Sequence, residues 1–198
     1  MTDDVVRLTS EVYDVIAPSY DEQVQVPSEE LLAHAARFRD QAAGPVADLG
    51  CGPGRHLSWF DDAVGTDLSE GMLAIARERG RVVRGDLRRP PFADLAGIWS
   101  AASLLHVPRP EVPTTLAAWH ACLRPGGALG LSTSLGDGEG WEKVPYAVPH
   151  DHRGPDERWF VHHAEQALLQ HLRDAGFTVT AASRRTTHRT WLMVLATA

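Results

Sequence analysis

Three carboxylates each close a short apolar run in this chain: Asp48 after Val46-Ala47, Asp67 after Val64-Gly65-Thr66, and Asp86 after Val82-Val83-Arg84-Gly85. A dense glycine turn, Gly50-Cys51-Gly52-Pro53-Gly54-Arg55, follows the first of them. Glycines in such a turn let a ligand press on bare backbone, because no Cβ intervenes and positive φ costs little. The N–H groups opening a following helix would face that ligand. The spacing is G-x-G-x-G, with Arg55 where a dinucleotide fingerprint requires its third glycine. Asp67 stands 17 residues beyond Gly50, near where a parallel sheet places an acid for ribose hydroxyls. These residues suit the holding of a nucleoside-like ligand along one rim of one sheet.

His106 lies just past a fourth apolar run that begins at Ile98. That is the side on which open α/β sheets bind ligands. A histidine there is placed to act as a general base near neutral pH or to fix its loop by a structural hydrogen bond, and both readings stay open. His150, His152, His162 and His163 raise the question of a metal. Their spacing is not a helical i, i+4 pair and no carboxylate or thiol completes a zinc pattern, so no metal is expected.

The elements that must position these residues alternate along the chain. Tyr13, Ile16, Ala17 and Tyr20 fall on one helical face. Pro27-Ser28-Glu29-Glu30 opens a second helix that Gly44-Pro45 stops. The first strand ends at Asp48 and leads through the glycine loop into a short helix. Ser69 caps a helix carrying Met72, Ile75 and Ala76, and Arg88-Arg89-Pro90-Pro91-Phe92 is a loop, since paired prolines continue neither helix nor central strand. Small residues from Ser100 and Ala101 to Ser103 allow close approach of a ligand to the fourth strand. A helix through Leu116 and Trp119 feeds a fifth strand, Ala128 to Ser134. Residues 135–163, with Trp141 and Trp159, form a long segment without sustained period, expected to be an ordered lid over a substrate pocket. A helix over 164–175 precedes two strands, 177–185 and 190–197, close enough to pair as a hairpin.

With 198 residues, the chain reads as one domain, 1–198, with a helical cap over 1–44 and the lid over 135–163. Hydrophobic residues at 43% and charged residues at 23% are those of an ordinary globular protein. A net charge of −7 supplies no basic face for a phosphate backbone, so nucleic acid is not expected as a partner. Two cysteines make no disulfide framework. The acidic, polar N-terminus carries no signal peptide, and no apolar run is long enough for a membrane; the expected location is the cytoplasm. No oligomeric state follows from the sequence.

In order, DLGCGPG, VGTDLSEGML, GDLRRPPF, SLLHV and LRPGGALGLST resemble the motif series of class I S-adenosylmethionine-dependent methyltransferases, in their small-molecule, type 11-like branch. The resemblance covers roughly positions 13 to 197. It implies an α/β, Rossmann-like fold: a seven-stranded, mostly parallel sheet with a C-terminal antiparallel hairpin and helices on both faces. It implies S-adenosylmethionine as cofactor, S-adenosylhomocysteine as product, and a small molecule as acceptor through O, N or C. Residue by residue, Asp67 would hold the ribose hydroxyls and Asp86 the adenine amino group. Leu68, Leu87 and Met72 would shape the adenine slot. Gly50, Cys51, Gly52 and Gly54 would form the bend for the methionine end, with Asp48, Tyr20, Arg55, Ser100 and Ala101 completing it. Tyr13, His106, Trp141, His162 and His163 are the candidates to face the acceptor. The chain departs from the family's pattern after Phe92, where the turn is shorter and Ala96 replaces an aspartate. Two other readings stand beside this one: an NAD-dependent oxidoreductase, against which the glycine spacing speaks, and a methyltransferase fold that binds the cofactor without transferring methyl.

Overall fold

A computed structural model describes residues 2–23, 27–150, 152, 154 and 156–198, and every structural statement below concerns those residues. All four residues of β1 (Val46–Leu49) are buried, as expected of a strand covered on both faces. It pairs in parallel with β2 (Ala63–Asp67) on one side and β4 (Leu95–Ala101) on the other. With β3 (Arg81–Arg84), β5 (Leu123–Ser134), β8 (Thr178–Thr186) and β9 (Thr190–Thr197) it forms one seven-stranded sheet, in the order β3-β2-β1-β4-β5-β9-β8. Strands β1 to β5 run parallel; β9 is antiparallel to both β5 and β8. The expected sheet and closing hairpin are therefore present. The chain winds outward from β1 to β3, then crosses back to β4 on β1's other side. Such a switch point opens a crevice beyond the carboxyl ends of the two strands.

Helices cover both faces. Helix α2 (Glu29–Arg39) begins where the Ser28 hydroxyl accepts a hydrogen bond from Leu31 N at 3.3 Å, a cap worth about 1 kcal/mol. It buries Ala35 and Phe38 against Trp99, Ala128 and Leu195. On the opposite face, α4 (Val112–Cys122) and α5 (Glu165–Asp174) bring Leu116, Trp119, Leu168 and Leu172 onto Ile98, Leu129 and Val194. A fully buried side chain of this size contributes roughly 1.5–3 kcal/mol. Among the described residues no helix is long and apolar enough to cross a membrane.

The structure departs from the sequence reading in three places. After β1 there is no α-helix but a single 3-10 turn, Leu57–Trp59. Gly52 and Gly54 at positive φ, with Pro53 between them, occupy the start of the connection, and too few residues remain before Ala63 for a helix to climb the sheet and return. The second departure is α1, which spans Thr2–Gln23 and so extends far beyond the Tyr13–Tyr20 face. It lies across α3 (Glu70–Ala76): the Asp14 carboxylate accepts hydrogen bonds from Ser69 Oγ at 2.7 Å and Gly71 N at 2.9 Å. The third is the lid, which contains a two-stranded antiparallel sheet, β6 (Glu139–Lys143) with β7 (Glu157–Val161). An isolated pair of strands is marginal alone. This one is docked on α1, where Trp159 N donates to Thr9 Oγ1 at 3.0 Å.

Candidate functional site

The sheet's carboxyl rim, the glycine bend and α1 enclose one cavity. Its floor is the bend after β1. Gly50 sits at φ +71°, and a Cβ there would lie 2.3 Å from the Cβ of Ser103, so only glycine lets the loop cross the end of β4. Gly52, at φ +53°, is different: a Cβ would meet nothing within 4 Å, because that side of the bend is open space. Gly52 N donates to Asp67 Oδ2 at 2.9 Å, and Ser69 N donates to Asp67 Oδ1 at 2.9 Å. Two backbone donors thus fix the Asp67 carboxylate at the cavity wall. Burial raises its pKa in spite of them.

Asp48 is 1% exposed, and neither carboxylate oxygen has a hydrogen-bond partner. Burial, then the nearby charge of Asp67, push its pKa up to about 8. His56 Nδ1 lies 3.8 Å away, but burial and the Arg55 charge lower that imidazole to about 4, so it is neutral and gives Asp48 no cation. A buried acid without a partner is costly. Beside it, Arg55 lines the cavity and binds the Asp21 carboxylate of α1 at 2.7 Å.

At the other wall, Leu68, Met72 and Leu87 supply apolar surface. Asp86 lines the cavity next to them but is already engaged by Arg88: its Oδ2 accepts from the guanidinium at 2.7 Å and its Oδ1 from Arg88 N at 2.8 Å. Arg88 also binds Glu111 at 2.6 Å and Asp3 of α1 at 2.9 Å.

The far end is built from side chains. His106 Nδ1 donates to Trp159 O at 2.6 Å, since a carbonyl only accepts. Nε2 is therefore the acceptor, taking the Tyr13 hydroxyl proton at 2.8 Å. The Tyr13 oxygen in turn accepts from Arg158 at 2.8 Å. Burial, then the Arg158 charge, hold the His106 pKa down at about 3. Tyr20 packs edge-on to Tyr13 at 6.0 Å and against Tyr146 at 4.8 Å.

Most of the site residues expected from sequence share this cavity: Tyr13, Tyr20, Gly50, Cys51, Gly52, Arg55, Asp67, Leu68, Met72, Asp86, Leu87, Ala101 and His106. Others do not line it. Asp48 and Gly54 lie behind the bend, and burial raises the Cys51 thiol's pKa. Ser100 is fully buried, its hydroxyl donating to Ser103 Oγ at 2.6 Å, and Ser103 stands at the wall in its place. The pleat explains this: Ser100 faces into the molecule, while the chain after Ala101 turns Ala102, at φ +59°, and Ser103 towards the cavity. Trp141 is 39% exposed on β6 and packs on Trp159. His162 bonds Ser134 and Glu142 at 2.8 and 2.9 Å, and His163 is buried beside it. None of those three reaches the cavity, and no group of residues that would hold a metal is found among the described residues. Sequence reasoning missed Val6, Thr9 and Ser10, which share a helical stripe with Tyr13 at i, i+3, i+4 and i+7 spacing. It also missed Arg88, whose position two residues after Asp86 carried no signal of its own.

Comparison with known proteins agrees with this geometry. Residues 46–127 match a family described as a methyltransferase domain. The chain is 38% identical over 125 residues to a trans-aconitate 2-methyltransferase of Variovorax paradoxus, covering 57% of this chain and 46% of that protein. It is 30% identical over 109 residues to a dTDP-3-amino-3,4,6-trideoxy-alpha-D-glucopyranose N,N-dimethyltransferase of Streptomyces venezuelae, covering 50% of this chain and 46% of that one. The chain thus spans about half the length of these curated relatives. Among solved structures, a Burkholderia thailandensis 1,6-didemethyltoxoflavin-N1-methyltransferase with bound S-adenosylhomocysteine shares the fold at a TM-score of 0.72, with 22% identity over 100% of this chain and 90% of that one. In its domain match over residues 46–127, its ordered motifs and its sheet, the chain is similar to class I S-adenosylmethionine-dependent methyltransferases.

Proposed function

We propose that this protein transfers a methyl group from S-adenosylmethionine to a small-molecule acceptor, leaving S-adenosylhomocysteine. The observation that carries the reading is a pair of acids at the glycine bend: Asp67 at the cavity wall, pre-set by two backbone donors, and Asp48, buried with no hydrogen-bond partner. The residues fit the cofactor. Asp67 presents its remaining lone pairs to two vicinal hydroxyls, and the orphaned Asp48 carboxyl behind the bend answers the charged amino end through water. The open side of Gly52 leaves room for that end, with Tyr20, Arg55 and Ala101 around it. Leu68, Met72 and Leu87 form an adenine slot, and Asp86 takes the exocyclic amine with a lone pair that Arg88 leaves free.

When bound, S-adenosylmethionine supplies a methyl group already activated on a sulfonium, so alignment and exclusion of water are the protein's main tasks. The chain's residues are arranged for both. Helix α1 closes the cavity from above, and Arg55 and Arg79 tie its far end down through Asp21. His106 is held at the acceptor end; its one lone pair is engaged and its basicity low. We assign it the placing of Tyr13 rather than the removal of a proton.

The test uses S-adenosylmethionine carrying a labelled methyl group and a panel of small acids, amines, phenols and enols. The reading predicts a micromolar dissociation constant by calorimetry and label in at least one acceptor, with S-adenosylhomocysteine in equal amount. Absence of cofactor binding at millimolar concentration contradicts it.

A further inference from the structure

Arg158, on the lid strand β7, carries a charge that the described residues do not neutralise. It is only 7% exposed, and its Nε is buried without a hydrogen-bond partner. Among the described residues its side chain has one hydrogen-bond partner, the Tyr13 hydroxyl, and it packs on the rings of Tyr13 and Tyr146 at 5.8 Å and Phe160 at 5.3 Å from the guanidinium carbon, while Glu142, opposite it on β6, gives its carboxylate to His162 and Arg189. No carboxylate pairs with it among the described residues. Arg189, the other cation packed on Phe160, has Glu142 at 3.4 Å as its counter-ion. Ring faces offset part of the cost of burying a cation. They do not replace a counter-ion. Arg158 stands behind Tyr13, which borders the cavity at that point.

The proton inventory points the same way. An alcohol, phenol or ammonium acceptor must lose a proton, and the basic group nearest the acceptor end is His106. Its Nδ1 is spent on Trp159 O and its Nε2 on the Tyr13 hydroxyl, so no free lone pair faces the cavity. An acceptor that arrives already ionised needs none.

On the transferase reading above, we propose that the acceptor is a carboxylic acid, bound as its carboxylate by the Arg158 guanidinium beside Tyr13 and methylated on oxygen to a methyl ester. The carboxylate oxygen forms its bond to the methyl carbon as the carbon–sulfur bond breaks. The electron pair of that bond stays on sulfur, giving the neutral thioether, and no proton moves. Two opposite charges disappear in the step, which a site poor in water favours. A guanidinium suits a planar carboxylate because its donors form a fork of matching geometry.

The experiment measures binding to protein saturated with S-adenosylhomocysteine. Matched pairs of acid and primary amide serve as probes: benzoate with benzamide, fumarate with fumaramide, phenylacetate with phenylacetamide. Wild type is expected to bind at least one acid tenfold or more tighter than its amide, and Arg158→Gln to bring the pair within twofold while S-adenosylhomocysteine affinity stays within threefold. If Arg158→Gln does not fold, Arg158→Lys decides: it should keep the preference for the acid at reduced affinity. Equal binding of every acid and amide, or a preference that survives Arg158→Gln, overturns the proposal. A protein that methylates amines or alcohols without preferring acids keeps the transferase reading and loses this one; acid-selective binding with no methyl transfer to any acceptor overturns both.

Discussion

The two ends of the cavity are made in different ways. The end we assign to the cofactor is made largely of backbone: Gly52 and Ser69 give their N–H groups to Asp67, and the bend at Gly50 leaves no room for a side chain. The end we assign to the acceptor is made of side chains from separate elements, Tyr13 of α1, His106 after β4 and Arg158 of β7, joined by a single run of hydrogen bonds. Backbone geometry at the rim of a parallel sheet depends on the fold, so it tolerates little variation. A run of side chains on a cap and a lid is free to change while the fold stays. The comparison therefore separates residues whose loss should abolish cofactor binding from those whose loss should alter turnover alone.

The largest effect should come from filling the bend. Gly50→Val forces a β-branched residue into positive φ and onto Ser103, so S-adenosylmethionine affinity should fall at least a hundredfold by calorimetry, or the fold should be lost by circular dichroism. At the other end, Tyr13→Phe removes the hydroxyl shared by His106 and Arg158. Its kcat/KM should drop five- to fiftyfold while the cofactor dissociation constant stays within twofold; equal losses in both would erase the division between the ends.

A proton count sharpens it further. Asp48, with a pKa near 8, is mostly protonated at pH 7 before the cofactor arrives. A bound cation lowers that pKa, so binding at pH 7 should release close to one proton, measured by calorimetry in buffers of different ionisation enthalpy. Asp48→Asn should release none. Without ligand, the sign is fixed by the same shift. The folded-state pKa is raised above its ordinary 3.8, so stability from this group is full below pH 4 and lost as pH rises through about 8. The melting temperature of wild type relative to Asp48→Asn should therefore fall between pH 5 and pH 9. The smallest effect belongs to the exposed pair of Asp3 with Arg88: Asp3→Asn should change cofactor affinity less than twofold, as surface ion pairs contribute 0–1 kcal/mol.

The same division decides what could be seen in the sequence. Asp48, Asp67 and Asp86 were legible because each ends a buried strand, and a sheet's period carries them all to one rim. Gly50 and Gly52 were legible because only glycine makes that bend. The missing helix after β1 was not, since a 3-10 turn and a short α-helix present the same apolar residues at Leu57 and Phe60. Strands β6 and β7 were hidden because the residues between them carry no hairpin turn signal, and their pairing depends on docking against Thr9. Arg158 reads in sequence as one more surface arginine. Only the packing of the lid on α1 buries it and gives it a place beside Tyr13.

Asp67 tests the account most directly, because both backbone donors of the cofactor end converge on its side chain. Calorimetric titration of Asp67→Ala with S-adenosylmethionine should show affinity at least tenfold below wild type, a loss of about 1.4 kcal/mol or more. Affinity equal to wild type would contradict the assignment of this corner as the cofactor site.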